Sequence, residues 1–253
     1  MTKADVLSIE GQKIGIVELP EQFNKPIRLD LIRRAVFSIQ SHNYQPYGAD
    51  PLAGTRQGQA TPKRRKKFGT TYGYGVSRVR RKRFWRRGSR FGWQAAFVAS
   101  AIKGRRAFPP KIEKVFAEKI NRKERRKAIC SAISAAKSYV IEDKFEGLKK
   151  SKEVVIVLNK IGLKKELERT KQKKVRAGKG TMRGRKYKRK VGPLIVAEKK
   201  CSLLKSAANV PGIAIVEVKN LNAELLAPGM NAGRITIWTQ SAIEKLAKER
   251  LFS

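Results

Sequence analysis

Between Pro51 and Ile112 the chain has no aspartate or glutamate, while residues 56–106 alone carry 17 lysines and arginines. A protein core cannot absorb such a run. Like charges repel, and an unpaired buried cation costs more than apolar packing returns. Yet the run lies well inside the chain, with regular apolar periodicity on both sides. It therefore reads as an insertion, roughly 44–110, whose partner is not protein.

The whole chain repeats that message. Its 59 Lys and Arg face 20 acids, for a net charge of +39 and a pI near 10.8. Such a chain repels itself unless counter-charge is supplied, and polyanionic nucleic acid is the natural supplier. A membrane surface fits poorly: there is no run of about 18 apolar residues and no clean amphipathic membrane helix. The opening MTKADVLSIEG resembles neither a signal peptide nor an arginine-rich transit segment, so a cytoplasmic location is expected. Cys130 and Cys201 form no ligand motif and read as free thiols in a reducing compartment, with a disulfide as the alternative. The single histidine, His42, has no ligand cluster around it and reads as structural. No metal and no cofactor are expected.

Outside the basic run the sequence predicts one α/β domain spanning 1–253. VLSIEG and IGIVELP suggest strands at 5–9 and 14–19. Leu31, Ala35 and Ile39, with Ile32 and Val36 beside them, predict a helix over 28–41. Asn121 with Glu124 resembles a capping box, followed by the stripe Ala128, Ile129, Ala132, Ile133 and Ala136. VVIVLN, 154–159, lacks polar alternation and reads as a buried parallel strand. A short helix at 161–169, a strand at 193–198 and a helix at 201–208 follow. GIAIVEV, 212–218, reads as a core strand, 222–228 as a helical turn and 234–239 as the last strand. Ser241 with Glu244 is expected to cap the final helix. Strands separated by helices imply a mostly parallel central sheet flanked by helices.

The insertion is more than a solvated charge run. Tyr72, Tyr74, Phe84, Trp85, Phe91 and Trp93 interrupt it, with glycines between them. Arg and Lys meet phosphates, rings stack on unpaired bases, and glycines allow close approach. RNA is favoured over DNA, whose dimeric and zinc-finger modules leave signatures that are not present here. The expected phosphate contacts are Arg56, Lys63, Arg64, Arg65, Lys66, Lys67, Arg78, Arg80, Arg81, Lys82, Arg83, Arg86, Arg87, Arg90, Lys103, Arg105 and Arg106. Phe84, Trp85, Phe91 and Trp93 are the expected ring contacts.

A second acid-free block, 171–190, has 11 basic residues among its 20. Lys173, Lys174, Arg176, Lys179, Arg183, Arg185, Lys186, Tyr187, Lys188 and Arg189 are the RNA-contact candidates there. GKGTMRGRK lacks the spacing of a nucleotide-binding phosphate loop and does not directly follow a strand. No HExxH, GxGxxG or cysteine cluster occurs, and the acids are scattered. An enzyme is not expected. The rival reading is an RNA-processing or modification enzyme with a basic appendage.

Several stretches resemble the large-subunit ribosomal protein four family, in its archaeal and eukaryotic-type branch. These are DLIRRAV (30–36), AAFVASAIKGRRAFPPK (95–111), NRKERRKAICSAISA (121–135), RAGKGTMRGRKYKRKVGPLIV (176–196) and NAELLAPGMNAGRITIWTQSAIEKL (222–246). The resemblance covers essentially the whole chain. It implies a structural protein that binds large-subunit ribosomal RNA and supports assembly, acting without a membrane or homo-oligomer. It implies that 44–110 penetrates the RNA and that its tip, near Phe68–Val79, helps form the constriction of the peptide exit tunnel. Neighbouring large-subunit proteins, including protein twenty-two, and the passing nascent polypeptide would be partners. Thr70, Thr71, Tyr72, Gly73, Tyr74 and Gly75 become tunnel-lining candidates. Gly104, Arg105 and Arg106 match the element that anchors the base of the loop. One departure is Phe108, where members often carry histidine before the paired prolines; a ring-packing role is expected instead. Ending at Ser253 without the long eukaryotic extension leads to an expectation of an archaeal source.

Overall fold

The computed structural model describes residues 3–56 and 58–252. In chain order the elements are β1 (Lys3–Leu7), β2 (Lys13–Glu18), α1 (Leu29–Ser41), β3 (Arg81–Arg87), β4 (Arg90–Ala95) and α2 (Arg122–Ala135). Then come β5 (Lys137–Ile141), α3 (Ser151–Lys160), α4 (Lys164–Lys171), β6 (Lys173–Val175), β7 (Tyr187–Arg189) and β8 (Leu194–Ala197). The chain ends with α5 (Leu203–Ala208), β9 (Ala214–Glu217), α6 (Ala223–Leu226), β10 (Ile235–Thr239) and α7 (Gln240–Lys248). Two compact units result: one from the segments up to Asn43 and from Ala117, the other from Tyr44–Phe116.

In the first unit six strands form one sheet in the order β2-β1-β5-β10-β8-β9. β1 pairs with β2 antiparallel, and every other neighbouring pair is parallel. Alternation along the central strands divides the core into two layers. Val140, Leu194, Val196 and Trp238 pack with α1, α2, α6 and α7 on one face. Their neighbours Ile141, Ile195 and Ile237 pack with α3, α4 and α5 on the other. β8 and β10 are thus apolar on both faces, as central parallel strands covered by helices should be. Trp238 is fully buried; its indole N–H donates to Thr236 Oγ1 at 3.2 Å, and Phe23 meets it edge-on at 5.4 Å.

The structure departs from the sequence expectations at four places. VVIVLN is not a strand but the body of α3, where Val154, Val157 and Leu158 are buried and Ile156 is 54% exposed. That is helical spacing, and packing of this face outweighs the β-branched preference. The strand missed was KSYVI, now β5, which pairs with β1 and β10 in the middle of the sheet. The last helix is capped not by Ser241 but by Thr239, whose Oγ1 accepts from the Ala242 N–H at 3.3 Å. Asn121 does stand at the N-cap of α2, but its side chain makes no capping hydrogen bond.

The carboxyl ends of parallel strands are where α/β sheets usually admit ligands. Here the turn after β5 covers them. Glu146 accepts from the Glu198 N–H at 3.0 Å and from the Thr239 hydroxyl at 2.8 Å, and Asp143 accepts from the Ser241 N–H at 2.8 Å. At the opposite end of the strands Arg234 is mostly buried. Its guanidinium donates to the carbonyls of Gly192 at 2.7 Å, Leu225 at 2.5 Å and Pro193 at 3.3 Å. Burial pulls its pKa down to about 10. Cys130 and Cys201 are free thiols, on α2 and just before α5 respectively.

The second unit has its own framework. Its two ends are joined by Tyr47 stacked on Phe116 at 5.5 Å and by the Ala49 N–H donating to the Pro110 carbonyl at 3.0 Å. Within it part of the basic run forms an antiparallel hairpin, β3–β4, closed by the two-residue Gly88–Ser89 turn. Arg87 opposite Arg90 flanks that turn, and Gly88 has the positive φ of +57° that hairpin turns require. Among the described residues no helix is long and apolar enough to cross a membrane.

Candidate nucleic-acid interface

The hairpin arranges rings and cations in a definite pattern. The register pairs Arg83 with Trp93 and Arg86 with Phe91, so these side chains lie beside one another across the ladder. Phe68 packs edge-on against Phe91 at 4.8 Å, and Phe91 against Trp93 at 5.0 Å. Arg83 lies 4.7 Å and Arg86 4.3 Å from the Phe68 ring centre, and Arg81 lies 5.1 Å from that of Trp93. Nearby, Arg78 meets Tyr72 at 5.0 Å, Arg80 meets Phe97 at 4.4 Å and Lys82 meets Phe84 at 5.6 Å. A guanidinium that stacks by its face keeps its in-plane N–H edge for other acceptors, and phosphate oxygens suit that edge.

The four ring candidates therefore separate. Phe91 and Trp93 are partly buried in this small cluster, whereas Phe84 and Trp85 stay 57% and 56% exposed. Phe68 joins the cluster although it was not among the ring candidates. The basic candidates are exposed, apart from the partly buried Arg81 and Lys82. Lys63, Arg64, Arg65, Lys66 and Lys67 precede Phe68, and Arg105 and Arg106 follow Gly104 near the base. Arg56 is committed elsewhere: it pairs with Asp50 at 2.5 Å.

Among the tip residues, Thr70 and Thr71 are only 2% and 4% exposed. Thr70 Oγ1 donates to the Pro62 carbonyl at 3.0 Å and accepts from the Tyr72 N–H at 3.2 Å. These two threonines shape the tip from inside. Gly73, Tyr74 and Gly75 form its surface, with Tyr72 partly buried behind them. Phe108 does not take the ring-packing role expected of it: it is 91% exposed. It precedes Pro109, which restricts it to extended backbone, and its ring projects outward.

The second basic block is also a ribbon. β6 pairs with β7 so that Lys173 stands opposite Arg189, Lys174 opposite Lys188 and Val175 opposite Tyr187, all exposed. The Arg176 N–H donates to the Lys186 carbonyl at 2.7 Å, and the Thr181 hydroxyl to the Arg176 carbonyl at 2.6 Å, which closes the turn carrying Lys179, Arg183 and Arg185. Lys173 lies 4.4 Å from the Tyr187 ring centre. Like charges placed directly opposite one another weaken a sheet in water. A ribbon built from them is suited to a site where a polyanion neutralises both strands.

His42 is exposed at the C-terminal end of α1, and no metal-holding cluster occurs among the described residues. The residues that sequence reading overlooked are Phe68 and Gly92. Both were visible in the string, but only the hairpin register reveals what they touch.

The family model described as "Ribosomal protein L4/L1 family" matches residues 17–249. The chain is 46% identical over 261 residues to the large ribosomal subunit protein uL4 of Nanoarchaeum equitans, covering 97% of each chain. It is 43% identical over 263 residues to that of Archaeoglobus fulgidus, covering 97% of this chain and 98% of the relative. With the Methanocaldococcus jannaschii protein of the same name the identity is 41% over 266 residues, covering 98% and 99%. A match over nearly the full length, basic segments included, goes far beyond shared charge: the chain belongs to the ribosomal protein L4/L1 family, in its archaeal branch.

Proposed function

We propose that this protein is a scaffold of the large ribosomal subunit whose 44–116 unit penetrates ribosomal RNA and reaches the peptide exit tunnel. Its role is structural rather than catalytic, as membership of the family implies. The observation that carries the RNA reading is the pair of basic ribbons in which like charges stand directly opposite one another, Arg87 with Arg90 in the first and Lys173 with Arg189 and Lys174 with Lys188 in the second. Such pairs weaken a ribbon in water, and phosphates lying along it relieve them. Specificity would come from RNA shape and unpaired bases, because side chains cannot read the deep A-form major groove.

At the tip, Tyr74, 68% exposed, and the bare backbone of Gly73 and Gly75 support a tunnel-lining role. Thr70 and Thr71 would hold that surface in shape. Protein twenty-two and the nascent polypeptide are the partners this placement would bring. The second ribbon would fix the globular unit to neighbouring RNA. Cosedimentation tests the reading. The protein should travel with the large subunit in gradients at physiological salt; a protein that stays at the top of the gradient overturns it.

A further inference from the structure

We propose that the cleft beside Trp85 is a binding site for a single unstacked nucleotide, its base on the indole and its phosphate among Lys66, Lys67 and Arg90. This rests on the RNA reading above and adds a defined ligand-binding role for one cleft. The hairpin register steps from Arg83 opposite Trp93 to Trp85 opposite Gly92, leaving Phe84 as the extra residue of a β-bulge. Bulges re-aim the side chains next to them. Here the Trp85 indole lies across the backbone of Gly92: a Cβ at that position would come within 2.9 Å of two carbons of the ring. Only glycine leaves room for this.

One side of the indole is thus occupied by the opposite strand, while the residue as a whole remains 56% exposed. A flat ring supported from behind and open in front is a stacking platform. It opens onto a cleft of about 710 Å³ that Trp85, Phe91, Lys66, Lys67, Arg90 and Tyr74 help line. That volume is in the range of small-ligand pockets and admits a nucleotide. The three cations on its rim lie in the stretch without a single acid, so no counter-charge comes from nearby sequence. An aromatic floor with a cationic rim matches the two halves of a nucleotide: a π-face and a phosphate. A polypeptide would satisfy the floor but not the rim.

The test uses the full-length protein and two single-stranded probes of equal length and charge: oligo(A) RNA and its abasic ribose-phosphate counterpart. The wild-type protein should bind oligo(A) about tenfold more tightly, the scale of one base–aromatic contact. Trp85→Ala should abolish that preference while the salt dependence of binding is unchanged, and Trp85→Phe should retain most of it. Gly92→Ala, which keeps every cation and displaces the indole, should also abolish it. A preference that survives both Trp85→Ala and Gly92→Ala overturns the site and leaves the RNA reading standing. So does equal binding of the two probes by the wild type. Absence of salt-dependent binding to either probe overturns both. Displacement of oligo(A) by an uncharged aromatic peptide at equal concentration would overturn the nucleotide in favour of polypeptide.

Discussion

Lys174 stands directly opposite Lys188 in an exposed two-stranded ribbon. The pairing weakens the free protein, and the RNA contact proposed for this ribbon would relieve it. Lys188→Glu should therefore stabilise the isolated chain by about 0.2–1 kcal/mol, through an opposite-charge cross-strand pair. It should also weaken RNA binding and make the log–log salt slope shallower by about 1, as expected for one lost phosphate contact. Urea unfolding and a salt titration of RNA affinity check the two effects, whose signs are opposite.

The helix at 151–160 sets a sharper test of packing. As a strand, its apolar residues would alternate between faces, placing Ile156 with Val154 and Leu158. As the helix observed, it buries Val154, Val157 and Leu158 and leaves Ile156 outside. Ile156→Lys should then cost no more than about 0.5 kcal/mol, as surface changes usually do. Val157→Ala should cost about 1–3 kcal/mol by opening a cavity. Chemical denaturation of both variants distinguishes them.

That contrast shows which parts of the fold sequence could reveal. Spacing located α1 and α2, whose helical apolar period is long enough to read, and β8 and β10 were legible as short apolar runs starting soon after Gly192 and Gly233. VVIVLN defeated the reading because a short continuous apolar run has no period of its own. KSYVI was overlooked because its first three residues are Lys, Ser and Tyr, and it follows α2 after a single residue. In the basic insertion the Gly88–Ser89 turn was a legible hairpin signal between ring-containing runs. Charge concealed it: arginines do not read as partners of a ring cluster until they are seen over Phe68 and Trp93. Composition thus identified the segments and their partner's charge, while the division of labour among the rings needed the register.

Arg234 ties together the starts of β8 and β10 and the end of α6 through three carbonyls. Arg234→Met keeps much of the stem and removes the donors from the Gly192 and Leu225 carbonyls, whereas the Pro193 carbonyl still accepts from the Ala214 N–H at 3.2 Å. A loss of about 2–4 kcal/mol is expected from the desolvated groups together. Arg234→Lys should recover part of it, because an ammonium can reach fewer of the three carbonyls at once. Thermal unfolding of the two variants should rank them below wild type, with Met lower.

Burial raises the Cys130 thiol above its ordinary value, and burial with the nearby Glu146 carboxylate raises Cys201. Both thiols should thus react slowly with maleimide at pH 7 in the native protein and quickly once it is unfolded. The sign for stability follows. A thiol held protonated in the fold but free to ionise when unfolded contributes stability below its ordinary value near 9, and that contribution is lost as pH rises above it. Cys130→Ala should flatten the decline of stability between neutral and alkaline pH, read from unfolding curves across that window.

Beside the Tyr47–Phe116 stack and the Ala49–Pro110 hydrogen bond, the base of the insertion has one close backbone approach. Gly54 lies against Gly104 and Arg105 with φ +76°, and a Cβ there would come within 2.6 Å of the Gly104 carbonyl oxygen and 2.7 Å of the Arg105 Cα. Both neighbours are backbone, so no flexible side chain can yield, and the positive φ adds strain for any L-residue. Gly54→Ala should therefore splay the two arms of the insertion where they meet and misdirect Arg105 and Arg106, which stand beside that contact. The globular unit shares none of these atoms, and its own unfolding transition should be unchanged. Incorporation into the large subunit, measured by gradient cosedimentation, should fall several-fold. Normal incorporation with an intact transition would show that RNA can force the base into shape without the close contact, and the anchoring role of Gly54 would be lost.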